Sequence, residues 1–217
     1  MRQTWAVLFA AAALAGCSQS SPTDDRNLGG DPQLGALVAD AKCTACHGGP
    51  GADGAPGVPS LSEQYPEYLK KQLVAFAAPP GAPNHRKSAV MAAIARSLSD
   101  DDRANVAAWY AEIWRKPSKA RDPSRVKLGE QVFLHGRADD DLPACAACHR
   151  ATATGIRPDF PNLAAQDPAY VENELRNWEQ IRGHRGKLMS IIVPRLKPEL
   201  AAAVADFVAT QPSKPVR

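Results

Sequence analysis

The sequence predicts an all-α protein built as two copies of one unit. No segment alternates apolar and polar residues as a half-buried strand does, while several carry apolar residues at helical spacing. The chain also repeats itself in order. A shift of 102 residues lays Cys43, Cys46 and His47 on Cys145, Cys148 and His149, Pro59 on Pro161, Gln64 on Gln166, Tyr68 on Tyr170 and Phe76 on Trp178. After a four-residue deletion in the second copy the shift becomes 98, and Met91 falls on Met189, Ile94 on Ile192 and Trp109 on Phe207.

The 217 residues leave room for two domains of about 100 residues each. Nineteen prolines against only 4 Trp, 4 Tyr and 5 Phe suggest a loop-rich fold with a modest core, one that relies on something besides side-chain packing to fill its interior. The net charge of +3, without a dense run of Lys and Arg, argues against nucleic acid. Residues 18–118 hold ten basic and eleven acidic residues, and 119–217 hold fifteen and twelve, so the halves differ in sign.

In chain order, residues 1–17 read as a secretory signal: Arg2, an apolar run from Trp5 to Leu14 too short to span a bilayer, then small residues. Leu14–Cys17, "LAGC", resembles the bacterial lipobox, which makes Cys17 the expected lipidation site and the membrane contact a lipid anchor. Residues 18–33 are polar and Gly/Pro-rich, as a flexible tether is. The first domain is expected over 34–116, a charged, proline-broken linker over 117–126, and the second domain over 127–217.

Leu69, Leu73 and Phe76 mark one helix, and Val171, Leu175 and Trp178 repeat its stripe. Ser99 is the expected N-cap of a helix whose first turn is acidic, and Pro198 the expected first position of the last one.

The chemistry lies in "CTACH" and "CAACH". A CxxCH on a helix puts two thiols and an imidazole on one face, which suits two thioether bonds to one haem with the histidine on its iron. Rival readings fit less well. A four-cysteine zinc site would need pairs that are 102 residues apart. A thioredoxin-like site needs a βαβ pattern, and disulfides within CxxC are strained. Two covalently bound haem c groups are therefore expected, on Cys43, Cys46 and His47 and on Cys145, Cys148 and His149. Apart from Met1 the chain has only Met91 and Met189, at equivalent places in the repeat, and these are the expected second axial ligands. His85 and His184, beside Arg86 and Arg185, are the rival ligands; they are expected at the surface or at the haem edge, with the Arg pairing a propionate. His135 has no counterpart and is expected at the surface.

These motifs in this order, with "PSLSEQYPEYLKKQL", "GEQVFLHG", "PNLAAQDPAYVENEL" and "HRGKLMSII", resemble the cytochrome c4 family over roughly residues 35–212. The resemblance implies two tandem class I cytochrome c domains related by a pseudo-twofold axis, with haems close enough to exchange electrons. It also implies that Pro59 and Pro161, each 12 residues after a motif histidine, accept a hydrogen bond from the imidazole. Three departures stand out: Arg150 follows the second CxxCH where a small residue is usual, Leu188 precedes Met189 where relatives often carry a second Met, and the loop 78–90 is longer than its counterpart.

The function expected is electron carriage, with no catalytic residue. The chain is expected to be a periplasmic monomer, and the family resemblance implies transfer from a quinol-oxidising complex or a periplasmic dehydrogenase to a terminal oxidase. The alternatives are a haem-bearing dehydrogenase subunit and a dihaem peroxidase, which would need an open iron position.

Overall fold

The computed structural model describes residues 29–183 and 187–213. The signal segment, Cys17, His184 and Arg185 lie outside the described residues. The described chain is helical, with isolated bridges in place of any sheet. Helix α1 spans Pro32–Lys42, α2 Thr44–His47, α3 Pro66–Ala77, α4 Ala89–Arg96 and α5 Asp100–Glu112. The second half follows with α6 Val126–His135, α7 Ala146–His149, α8 Pro168–Arg176, α9 Trp178–Arg182, α10 Lys187–Ile192 and α11 Pro198–Thr210.

Local sequence explains most boundaries. Ser99 caps α5 in a reciprocal capping box with Asp102, and three aspartates occupy its first turn, where the helix dipole favours them. Pro66, Pro168 and Pro198 each open a helix, where a missing N–H costs nothing. Asp31 caps α1, so that helix begins at Pro32, inside the stretch expected to be tether. One expectation fails. The stripe Val171–Leu175–Trp178 does not run along a single helix, because α8 ends at Arg176 and Trp178 opens the short α9.

In each half a first and a last helix cross: α1 packs on α5, and α6 on α11. The crossings are equally close. A Cβ on Gly35 would lie 2.1 Å from the Asn105 carbonyl oxygen, and one on Gly129 would lie 1.9 Å from that of Ala203. Asn105 and Ala203 are repeat mates at the 98-residue shift, but Gly35 and Gly129 are 94 apart, a third register outside both shifts.

Two separate apolar clusters result. One gathers Ala39, Leu69, Val106, Tyr110 and Ile113, the other Val132, Phe133, Val171, Leu200, Val204, Phe207 and Val208. Each is joined to its motif loop by the same bond: Glu63 N–H donates to the Tyr110 carbonyl and Ala165 N–H to that of Val208, both at 2.9 Å. Glu63 and Ala165 share the left-handed backbone, with φ of 52° and 56°.

The departure at Arg150 has a structural cost. Its repeat mate Gly48 has φ 72° and ψ −178°, and Arg150 itself holds φ 61° and ψ 157°, a region nearly reserved for glycine. Arg150→Gly is therefore expected to stabilise the protein by about 1 kcal/mol, strain relief outweighing the added chain entropy. An unchanged urea midpoint would refute this.

Candidate functional site

Both CxxCH segments sit on one-turn helices that close on themselves: His47 N–H donates to Cys43 O, and His149 N–H to Cys145 O, each at 2.9 Å. The first loop is tied to α5 by the Tyr110 hydroxyl, which donates to Gly48 O at 3.1 Å. The two imidazoles are buried. His47 Nδ1 lies 2.8 Å from the Pro59 carbonyl oxygen, and His149 Nδ1 lies 3.3 Å from that of Pro161.

A carbonyl can only accept, so in each ring Nδ1 carries the proton and Nε2 keeps its lone pair. Burial drives both imidazoles below the usual histidine range, and at His47 the nearby Arg86 charge adds to this; the proline bonds oppose it. A buried neutral ring, oriented through Nδ1 and free at Nε2, is what a metal requires of a histidine.

The first cysteine of each motif lacks the depressed thiol of a redox pair. Burial pushes the Cys43 and Cys145 thiols up to about 11, whereas an attacking thiol needs a depressed value. Nor do the two pairs converge: among the described residues no group of three His, Cys, Asp or Glu could hold a metal ion.

Met91 stands in the first turn of α4, where its N–H donates to Ser88 Oγ at 3.2 Å; Met189 lies within α10, and both side chains are half-buried. His85 is half-buried, with Nδ1 2.9 Å from Ala78 O, and His135 is exposed at the end of α6.

The halves meet in a buried polar cluster. Arg86 Nη2 donates to Glu174 at 2.7 Å and Arg182 Nε to the same carboxylate at 2.5 Å. Both guanidiniums also reach Gln72 Oε1, at 3.0 Å each, and the Tyr170 hydroxyl. The sequence pairs Arg86 with Arg185, but in space its counterpart is Arg182. Arg86 stacks 4.4 Å over Phe76, and Arg182 stacks 4.9 Å over that residue's repeat mate, Trp178. Burial raises the Glu174 carboxyl, but Arg182 and Arg86 outweigh burial and hold it below the usual range. One carboxylate thus serves two buried cations, and Arg86 Nε has no partner. Surplus positive charge and an unused N–H fit an acidic group such as a haem propionate.

Closer to the motifs lies a reciprocal clamp. Gln64 Oε1 accepts from Asn162 N–H at 2.9 Å, and Gln64 Nε2 donates to Asn162 O at 3.0 Å. Gln166 Oε1 accepts from Ser60 N–H at 2.8 Å, and its Nε2 donates to Ser60 O at 3.0 Å. Arg115, fully buried, donates to the carbonyls of Ser62 (2.7 Å), Ala164 (2.7 Å) and Asn162 (3.3 Å). The repeat matched the two glutamines, but nothing in it marked their role, and Arg115 has no sequence signal at all.

Known proteins resemble the chain along most of its length. The family model "Cytochrome c" matches residues 33–114. Cytochrome c4 of Azotobacter vinelandii is 34% identical over 188 residues, covering 82% of this chain and 88% of that protein. The chain belongs to the cytochrome c4 family. The crystal structure of reduced recombinant cytochrome c4 from Pseudomonas stutzeri superposes with a TM-score of 0.75 at 30% identity, over 84% of this chain and 99% of that one. A thiosulfate dehydrogenase electron acceptor of Thiomonas intermedia is 34% identical over 186 residues, 82% of each chain. Cytochrome c4 membership brings covalently bound haem c and an electron-transfer role. Among the described residues, no helix of this cytochrome c4 family chain is long and apolar enough to cross a membrane.

Proposed function

We propose that the chain is a dihaem electron carrier of a periplasmic respiratory chain, and not an enzyme. The observation that carries this is the duplicated imidazole geometry, Nδ1 held by a proline carbonyl and Nε2 left for iron. Cys43 and Cys46 would hold one haem by thioethers, with His47 and Met91 on its iron; Cys145 and Cys148 would hold the other, with His149 and Met189. Pro59 and Pro161 orient the rings, and Arg86 and Arg182 receive propionate charge. Haem iron supplies one-electron exchange when bound; the protein fixes its ligands and excludes an open coordination position.

Residues 34–116 and 127–217 would be the two haem domains and 117–126 the linker, in a monomer held at a membrane by a lipid on Cys17. A quinol-oxidising complex or a periplasmic dehydrogenase would supply electrons and a terminal oxidase would accept them. A second reading, service to one dedicated dehydrogenase, gains weight from the relative named as a thiosulfate dehydrogenase electron acceptor. Stopped-flow reduction by thiosulfate dehydrogenase against quinol-oxidising complex separates the two donors.

Two haems per chain are expected by pyridine haemochromogen assay, with a methionine–iron charge-transfer band from both in the ferric protein. Met91→Ala and Met189→Ala should each abolish about half of that band and turn one haem high-spin. A high-spin haem in the unmodified protein would sink the assignment.

A further inference from the structure

The reciprocal clamp acts on particular peptide units. Pro59 C=O and Ser60 N–H belong to one peptide group, as do Pro161 C=O and Asn162 N–H. The carbonyl of each takes the histidine proton of its own half. The N–H of each donates to a glutamine of the opposite half. From Gln64 an unbroken chain therefore runs through the 161–162 peptide to Nδ1 of His149. From Gln166 the matching chain runs through the 59–60 peptide to Nδ1 of His47.

The glutamines are well placed to act. Gln64 is 5% exposed and Gln166 3%, so their amides work in a low-dielectric setting where hydrogen bonds polarise one another. Each Oε1 is held by a second donor from its own half, Tyr65 N–H at 3.0 Å and Asp167 N–H at 2.9 Å. Each Nε2 grips the carbonyl on the far side of the same clamped residue. The side chain can neither rotate away nor be replaced by water without breaking both bonds.

We infer that Gln64 and Gln166 are crossed positioning residues, each tuning the axial histidine of the other domain. A peptide N–H that donates to an amide oxygen makes its own carbonyl a stronger acceptor. A stronger acceptor draws the Nδ1 proton and makes Nε2 more basic, which favours ferric over ferrous iron. The redox equilibrium of each haem is thus set partly by the domain that does not carry it. The inference rests on reading His47 and His149 as iron ligands and names the residues that regulate those ligands.

The test is a redox titration of the intact holoprotein, with the two haems resolved by NMR. Gln64→Leu should shift the reduction equilibrium of the His149 haem toward ferrous iron by up to about tenfold, ~59 mV for one electron, and move the His47 haem far less. Gln166→Leu should do the reverse. Gln64→Glu and Gln166→Glu keep an acceptor oxygen, and the affected haem should stay at or below its original midpoint. The Nδ1 proton resonance of the opposite histidine should move with the potential in the leucine variants. Shifts confined to the variant's own domain, equal shifts at both haems, no shift, or a glutamate variant that rises as far as its leucine counterpart would each overturn the inference. Failure of the underlying reading looks different: fewer than two haems in the pyridine assay, or no histidine ligation in the unmodified protein.

Discussion

Gly129→Ala is expected to lower the unfolding free energy by about 3 kcal/mol, although alanine in a helix is otherwise favoured over glycine by about 1 kcal/mol. The new Cβ would stand 1.9 Å from the Ala203 carbonyl oxygen and 2.8 Å from Phe207 Cβ. Neither atom is the end of a flexible side chain, so α6 and α11 must separate. Separation opens the cluster in which the Phe133 and Phe207 rings lie 5.3 Å apart. Gly35→Ala should behave alike in the first half, where Asn105 O and Trp109 Cβ stand at 2.1 and 2.8 Å. The two losses should add, because the sites share no partners. Urea unfolding of the holoprotein, followed by circular dichroism, measures both. A neutral or stabilising Gly129→Ala would mean the helices do not cross so closely.

Arg115→Met is expected to cost about 3–5 kcal/mol, since each buried carbonyl left short of a donor costs roughly 1–3 kcal/mol. Three carbonyls, of Ser62, Asn162 and Ala164, would lose a charge-assisted donor in a region without water access. Burial already pulls the guanidinium down to about 10 despite the attraction of Glu63, so the cation is held at a cost that its bonds must offset. It remains charged at neutral pH. Because the bonds join both halves, the loss should appear as separation of the domains as well as lower stability: a larger radius of gyration by small-angle scattering alongside a lower urea midpoint. Unchanged scattering with a lower midpoint would assign Arg115 to the first domain alone.

How much of this was legible beforehand depends on sequence distance. The CxxCH turns, the Ser99 cap and the proline-opened helices are written in neighbouring residues, and the repeat made Met91 and Met189 the candidate ligands. Features that need two distant segments were not legible. Gly35 and Gly129 fall in a register neither shift includes. Arg182 takes the place that alignment gives to Arg185, because it meets Trp178 from the same short helix, whereas Arg86 meets Phe76 from beyond the longer first-half loop. Gln64 and Gln166 matched each other, yet each acts on a residue about 100 positions away. A one-dimensional comparison pairs each with its mate and not with its target.

The clamp has a consequence for how the two halves came to share one chain. Residue 64 meets 162 while 166 meets 60, and in the repeat 162 corresponds to 60. An interface in which one patch meets its own counterpart is isologous, the arrangement of a twofold homodimer. The molecule is thus a symmetric dimer written as one polypeptide, and the connecting segment turns a concentration-dependent association into an intramolecular one. Fusion also frees each copy to diverge singly. Glu174 opposite Gln72 is such a change, one that no assembly of identical chains can make on one side only.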